Sequence, residues 1–166
     1  MKKRMVLIVC MVMLGGIVIF GRNFLSVAEK NNDSTGVPNP FTDCAGLCEA
    51  EKIADFKACI PDVIEGYTQE TIEAVEKEMI QVIFRKETSS EELFIRKALG
   101  SEDVSGDYNS YPETNRVSVD GLKVTTKGEK GKVYVAVWEN NGYTYAITAN
   151  TGISKENVIE LIKNIK

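Results

Sequence analysis

The chain has 166 residues, with 20 Lys+Arg, 24 Asp+Glu and no histidine, for a formal net charge of −4 at pH 7. The missing histidine excludes Ser-His-Asp and Cys-His catalysis, histidine proton relays and most zinc sites. From Asn31 onward 15 cationic side chains stand against 23 carboxylates, a net −8 that argues against nucleic acid or anionic lipid as a partner surface.

Lys2, Lys3 and Arg4 precede Met5 to Phe20, sixteen residues without a charge. This is the basic and apolar pattern of an export signal. Arg22 and Phe24 fit the flank of a retained anchor, so the expected location is the cell membrane, with a single pass through residues 5–20 and the C-terminal domain outside. The alternative is secretion after cleavage near Ala28, because Ser26-Val27-Ala28 places small residues at the −3 and −1 positions. Cys10 follows Val9 in mid-segment and reads as one more apolar residue. Asn31 to Pro40, NNDSTGVPNP, is polar and aperiodic, a spacer. The expected division is therefore 1–28 anchor or signal peptide, 29–40 spacer and 41–166 a single extracytoplasmic domain.

Within that domain, Leu47, Ala50, Ile53 and Ala54 have the spacing of a short amphipathic helix with Gly46 near its N-cap. Pro61 biases Phe56 to Ile60 toward an extended path. Thr71 to Arg85 is ambiguous, since Ile72, Val75, Met79 and Val82 fit a helix whereas Ile80, Val82 and Phe84 alternate as in a strand. Leu93 to Ala98 reads as a further strand, and Asp120-Gly121 as a tight turn between Arg116–Val119 and Leu122–Thr126. Asn141-Gly142 predicts a type I′ turn joining the strands of KVYVAVWENNGYTYAITA. That turn sets Asn140 opposite Tyr143, Trp138 opposite Tyr145 and Ala136 opposite Ile147. One face of the hairpin then carries Tyr134, Ala136, Trp138, Tyr143, Tyr145 and Ile147. The other carries Val133, Val135, Val137, Thr144, Ala146 and Thr148. A hairpin apolar on both faces belongs inside a larger sheet. Ser154 caps a final helix, Ile153 and Val158 form a hydrophobic staple, and Val158, Leu161, Ile162 and Ile165 make its apolar stripe.

The succession NPFTDCAGLCEAEKIADF, Pro61 to Tyr67, IRKALGSEDVSGDYN, AVWENNGYTYAI and a final amphipathic helix resembles a family of uncharacterised domains. These occur in the exported part of membrane-anchored proteins of Gram-positive bacteria, some of them joined to anti-sigma-factor segments. The resemblance spans about Asn39 to Lys166. It implies strands for Thr71 to Arg85 and brings no activity, substrate or catalytic residues. The four residues before the apolar segment depart from the anti-sigma members.

Three cysteines fall in the exported part. A Cys48–Cys59 disulfide would staple helix to strand, with Cys44–Cys48 as the alternative; the spacing is not that of a CxxC redox pair. Asp103, Ser105, Asp107 and Asn109 resemble the first positions of a calcium loop, but Gly106 and Thr114 stand where such a loop places other residues, and Asx and Ser turns account for the pattern. Arg85, Lys86, Arg96 and Lys97 would form a basic spot if their strands pair, balanced on a solvated face by Glu78 and Glu92. Glu91-Glu92 falls in a turn and lacks the burial that acid-base catalysis needs. No catalytic, cofactor or metal residues are assigned.

The expected fold is α+β: an antiparallel sheet of about six strands, with the short N-terminal helix and the C-terminal amphipathic helix packed on one side. The expected function is a membrane-tethered, non-catalytic domain that binds a protein or envelope component. The alternatives are a carboxylate-based cell-envelope hydrolase and a secreted soluble binding protein.

Overall fold

The computed structural model describes residues 39–166. The expected span at 5–20, the cleavage position near Ala28 and nearly all of the spacer lie outside the described residues. Among those described, no helix is long and apolar enough to cross a membrane.

Eight strands form one antiparallel sheet. They are β1 (Thr42–Cys44), β2 (Thr68–Val75), β3 (Met79–Arg85), β4 (Glu92–Leu99), β5 (Glu113–Val119), β6 (Leu122–Glu129), β7 (Lys132–Asn140) and β8 (Tyr143–Ser154), with helices α1 (Leu47–Ala54) and α2 (Lys155–Asn164). In space the order is β1-β2-β3-β4-β8-β7-β6-β5. This corrects the expected six strands with a helical layer on one side: a single eight-stranded sheet dominates, and its two helices are only eight and ten residues long. The difference in strand count has simple causes. β1 is too short to show a period, and Thr71 to Arg85 mixes helical and strand spacing, whereas β5 and β6 contain the expected Arg116–Val119 and Leu122–Thr126 and extend past them into polar residues that their ladder holds extended.

Tight turns fix most of the register. Asp120-Gly121, Lys130-Gly131 and Asn141-Gly142 all have both central residues at positive φ, as type I′ turns require. Trp138 consequently pairs with Tyr145 and Asn140 with Tyr143. The stretch Thr71–Arg85 resolves into β2 and β3, joined through Lys77 at φ 54. The Lys77 N–H donates to the Ile53 carbonyl and ties that turn to α1.

Residues paired across a ladder share a face, so the register divides the sheet. One row runs Ala74, Ile80, Lys97, Tyr145, Trp138, Val124, Val117, and the next runs Ile72, Val82, Ile95, Ile147, Ala136, Thr126. With Ala50, Ala54, Val158 and Ile162 from the helices and Ile165 just past α2, most of these residues make one core cluster. Trp138 and Tyr145 are buried and stacked, with ring centroids 5.3 Å apart and planes 8° from parallel.

The opposite face carries Glu73, Gln81, Arg96, Ala146, Val137, Thr125 and Arg116 in register. Because β8 and β7 lie between β4 and β6, the chain leaving β4 must cross to the far edge before it can begin β5. Segment 100–112 makes that crossing and covers the loop face as it goes. Thr144 donates its hydroxyl to the Gly100 carbonyl at 2.8 Å and Thr148 to the Ser105 carbonyl at 2.9 Å.

One expected placement is overturned by a bulge. The β7–β8 register shifts between Val133 and Val135, which puts Val133 in the core cluster and leaves Tyr134 out of it. The Tyr134 ring instead meets Tyr111 of the crossover, centroids 5.2 Å apart. It also lies over Gly152, where an added Cβ would come within 2.7 Å of it.

Candidate functional site

Between α1 and β2 the chain runs as a strap, residues 55–67, with almost no regular structure. Asp55 ends α1 in the left-handed conformation, φ 63, and sends the chain back toward the sheet. Three sets of polar contacts hold the strap down. The Glu51 carboxylate accepts from the Ala58 N–H at 3.0 Å and from Lys57 Nζ at 2.7 Å. Lys97 Nζ donates to the Lys57 carbonyl at 2.7 Å. Cys59 and Lys166 exchange two backbone hydrogen bonds, of 2.7 and 3.0 Å, which tie the strap to the chain end beyond α2.

Lys97 sits in the apolar row between Ile80 and Tyr145 with only 7 % of its surface exposed. Its ammonium lies 4.4 Å from the Tyr143 ring centroid, 5.2 Å from Tyr145 and 5.7 Å from Phe56. Burial lowers its pKa, and the Tyr143 hydroxyl works in the opposite direction. The ring faces and one carbonyl are its partners, an arrangement that fixes the strap and leaves the ammonium inaccessible.

Where the strap stands off from α2 there is a groove of about 630 Å³, a size ordinary for ligand pockets. Leu93 and Ile153 lie beneath it, Leu161 projects from α2, and Ile60 and Ile64 come from the strap. Val63 stands at its edge with 81 % of its surface exposed. Tyr67 closes one end. Its hydroxyl donates to Glu91 at 3.4 Å, and Lys86 Nζ, 5.2 Å from the ring centroid, is itself 2.7 Å from Glu91. Burial raises the Tyr67 pKa, the Lys86 charge opposes this, and Glu91 adds to it. Asp62, Glu65 and Glu160 line the groove, and no lysine or arginine does.

Other residues singled out in the sequence lie elsewhere. Cys44, Cys48 and Cys59 are free thiols, so neither the Cys48–Cys59 nor the Cys44–Cys48 bridge is formed. Cys44 ends β1, its pKa raised by burial and then by Glu49 and Asp43, and Cys59 lines the groove. In the Asp103 loop, Asp103 accepts from the Ser105 N–H at 2.9 Å and from Lys127 Nζ at 3.0 Å. Asp107 accepts from the Asn109 N–H and from the Tyr111 hydroxyl, both at 2.7 Å. Burial, then the bond to Asp107, pushes Tyr111 up to about 12. These oxygens fold the crossover upon itself, and among the described residues no cluster of three or more metal-ligating side chains occurs.

The basic spot does not form, although β3 and β4 do pair. Arg85 is bound by Glu70 and Glu92, and Lys86 by Glu91. Lys97 and Arg96 point to opposite faces. Arg96 donates to Gln81, which donates to Glu73, and its other nitrogen donates to the Val104 carbonyl at 3.0 Å. Among the described residues the buried polar side chains are Gln81, Lys97, Ser105, Thr126 and Thr144, and none is a carboxylate.

The groove was not predicted from the residues, because its walls come from segments far apart in the chain. A local trace of it exists all the same: Val63 lies in Pro61-Asp62-Val63-Ile64-Glu65-Gly66, an apolar residue in a setting that reads as an exposed turn. A family model described as a domain of unknown function (DUF4367) matches residues 58–165. No curated protein and no solved structure shows a significant match.

Proposed function

The chain belongs to the family of domains of unknown function DUF4367, and from that premise we propose that it is a non-catalytic binding domain, tethered outside the membrane of a Gram-positive cell, that engages a protein or envelope component through the groove between the strap and α2. The observation that carries this reading is Val63: a large apolar side chain 81 % exposed at the edge of a groove that Ile64 and Ile153 also line. Leaving it in water forgoes on the order of 1.5 kcal/mol or more of burial, a loss that a partner covering it would recover. The groove also falls wholly within the stretch matched by the family, so it belongs to that domain and not to the preceding β1 and α1.

The test uses the full chain in its own cells. A photo-crosslinking residue at position 63 is expected to give one discrete adduct, whereas the same group at the equally open Tyr108, on the other face of the sheet, gives none. Equal labelling at both positions would remove the groove from consideration. Exposed Cys48 and Cys59 report on location, since a membrane-impermeant maleimide should label them in intact cells. Labelling only after lysis would place the domain in the cytoplasm.

A further inference from the structure

The chemistry of the groove points to one class of occupant, and the argument rests on the binding reading above. We infer that the groove takes an extended segment of a partner protein in which an apolar side chain is flanked by Lys or Arg. Ile64 and Ile153, both partly exposed on the lining, offer contact to an apolar anchor, and Val63 adds apolar surface that such an anchor would cover. The rim is of a single sign: Asp62, Glu65 and Glu160 line it, all exposed, without a cation among the lining residues.

Some of the domain's carboxylates are paired away from the groove lining. Its ion pairs join Glu51, Glu70, Glu76, Glu91, Glu92 and Asp103 to lysines or arginines, and among the described residues none involves Asp62, Glu65 or Glu160. The Lys86 ammonium sits at the Tyr67 ring and is held by Glu91. Three carboxylates at one groove, with no cation on its lining, raise the local concentration of cationic groups, and they disfavour an anionic segment by like-charge repulsion. The amide of Asn157, also on the lining, can bond to the backbone of an extended segment, whereas that of Asn164 already donates to the Glu160 carbonyl at 2.9 Å.

The test measures fluorescence anisotropy of three labelled pentapeptides, Lys-Leu-Lys-Leu-Lys, Glu-Leu-Glu-Leu-Glu and Lys-Ser-Lys-Ser-Lys, with the full chain in neutral micelles and protein-free micelles as blank. The first peptide is expected to bind at least about tenfold tighter than either of the others, and more weakly as salt is raised. Asp62→Asn with Glu65→Gln and Glu160→Gln should weaken it about tenfold, as should Val63→Ser. Neutralising exposed carboxylates away from the groove, by Glu102→Gln with Glu113→Gln and Glu139→Gln, should change it less than about twofold. Equal binding of the glutamate peptide, equal binding of the serine peptide, or an equal loss in the control triple would each overturn the inference. If no peptide binds while Val63 still gives its adduct in cells, the cationic partner is wrong and the binding reading stands; if the adduct is absent as well, both fail.

Discussion

The two faces of this sheet are covered by different physics. On the helix face Trp138, Tyr145, Ile147, Phe84 and Ile95 are buried with the apolar sides of α1 and α2, and the favourable term is area removed from water. On the loop face the cover is a 13-residue crossover without regular structure, held by hydrogen bonds from Arg96, Thr144 and Thr148 to its carbonyls and by Asx turns within it. Burial is non-directional and tolerates exchange among similar apolar residues. The polar cover depends on a few donors whose loss strands buried acceptors. The difference shows how one sheet obtains two covers: the strand order forces a crossover, and the crossover lies over the second face.

The contrast can be sharpened by substitution. The largest effect is expected for Trp138→Ala, which empties the stacked pair and should cost about 3 to 5 kcal/mol by chemical or thermal unfolding. A water-exposed, readily quenched tryptophan in the unmodified domain would break the assignment of this face as core. Arg96→Met should cost less, about 1 to 3 kcal/mol, because Gln81 and the Val104 carbonyl lose their donor. Its signature is local: cleavage within 100–112 by added protease should speed up well before global unfolding. If Trp138→Ala exposed the crossover equally at temperatures where the domain remains folded, the two covers would not be separable.

A smaller effect separates the faces by pH. Burial of Asp103 acts to raise its pKa, but the side-chain and backbone bonds from Ser105 and the Lys127 ammonium prevail and lower it. A depressed carboxyl contributes stability that is present above its unfolded pKa of about 4 and is lost as pH falls through the lower folded value. The melting midpoint should therefore drop below about pH 4, and Asp103→Asn should flatten that drop while lowering the midpoint at pH 7 by less than about 1 kcal/mol equivalent. Smallest of all, excess calcium against chelator should leave the midpoint unchanged, since Asp103 and Asp107 already serve Ser105, Lys127, Asn109 and Tyr111. A rise of several degrees with calcium would show a metal bound to the native state and would recast the crossover as a metal site.

Some of this was determined by the sequence alone. The Asn141-Gly142 and Asp120-Gly121 turns set their registers because only certain residues sit easily at positive φ, and Ser154 with the Val158, Leu161, Ile162 stripe set α2 through capping and periodicity. These are local rules that act within a few residues. Tertiary structure decided the rest. The eight-strand count depended on β1 finding β2, the position of Tyr134 on a bulge between β7 and β8, and the separation of Arg96 from Lys97 on the ladder that sends neighbours to opposite faces. The groove depended on residues around positions 63, 93 and 160 meeting in space. No spacing rule records such a meeting, because it is fixed by strand order, and strand order is settled by the burial of the whole sheet at once.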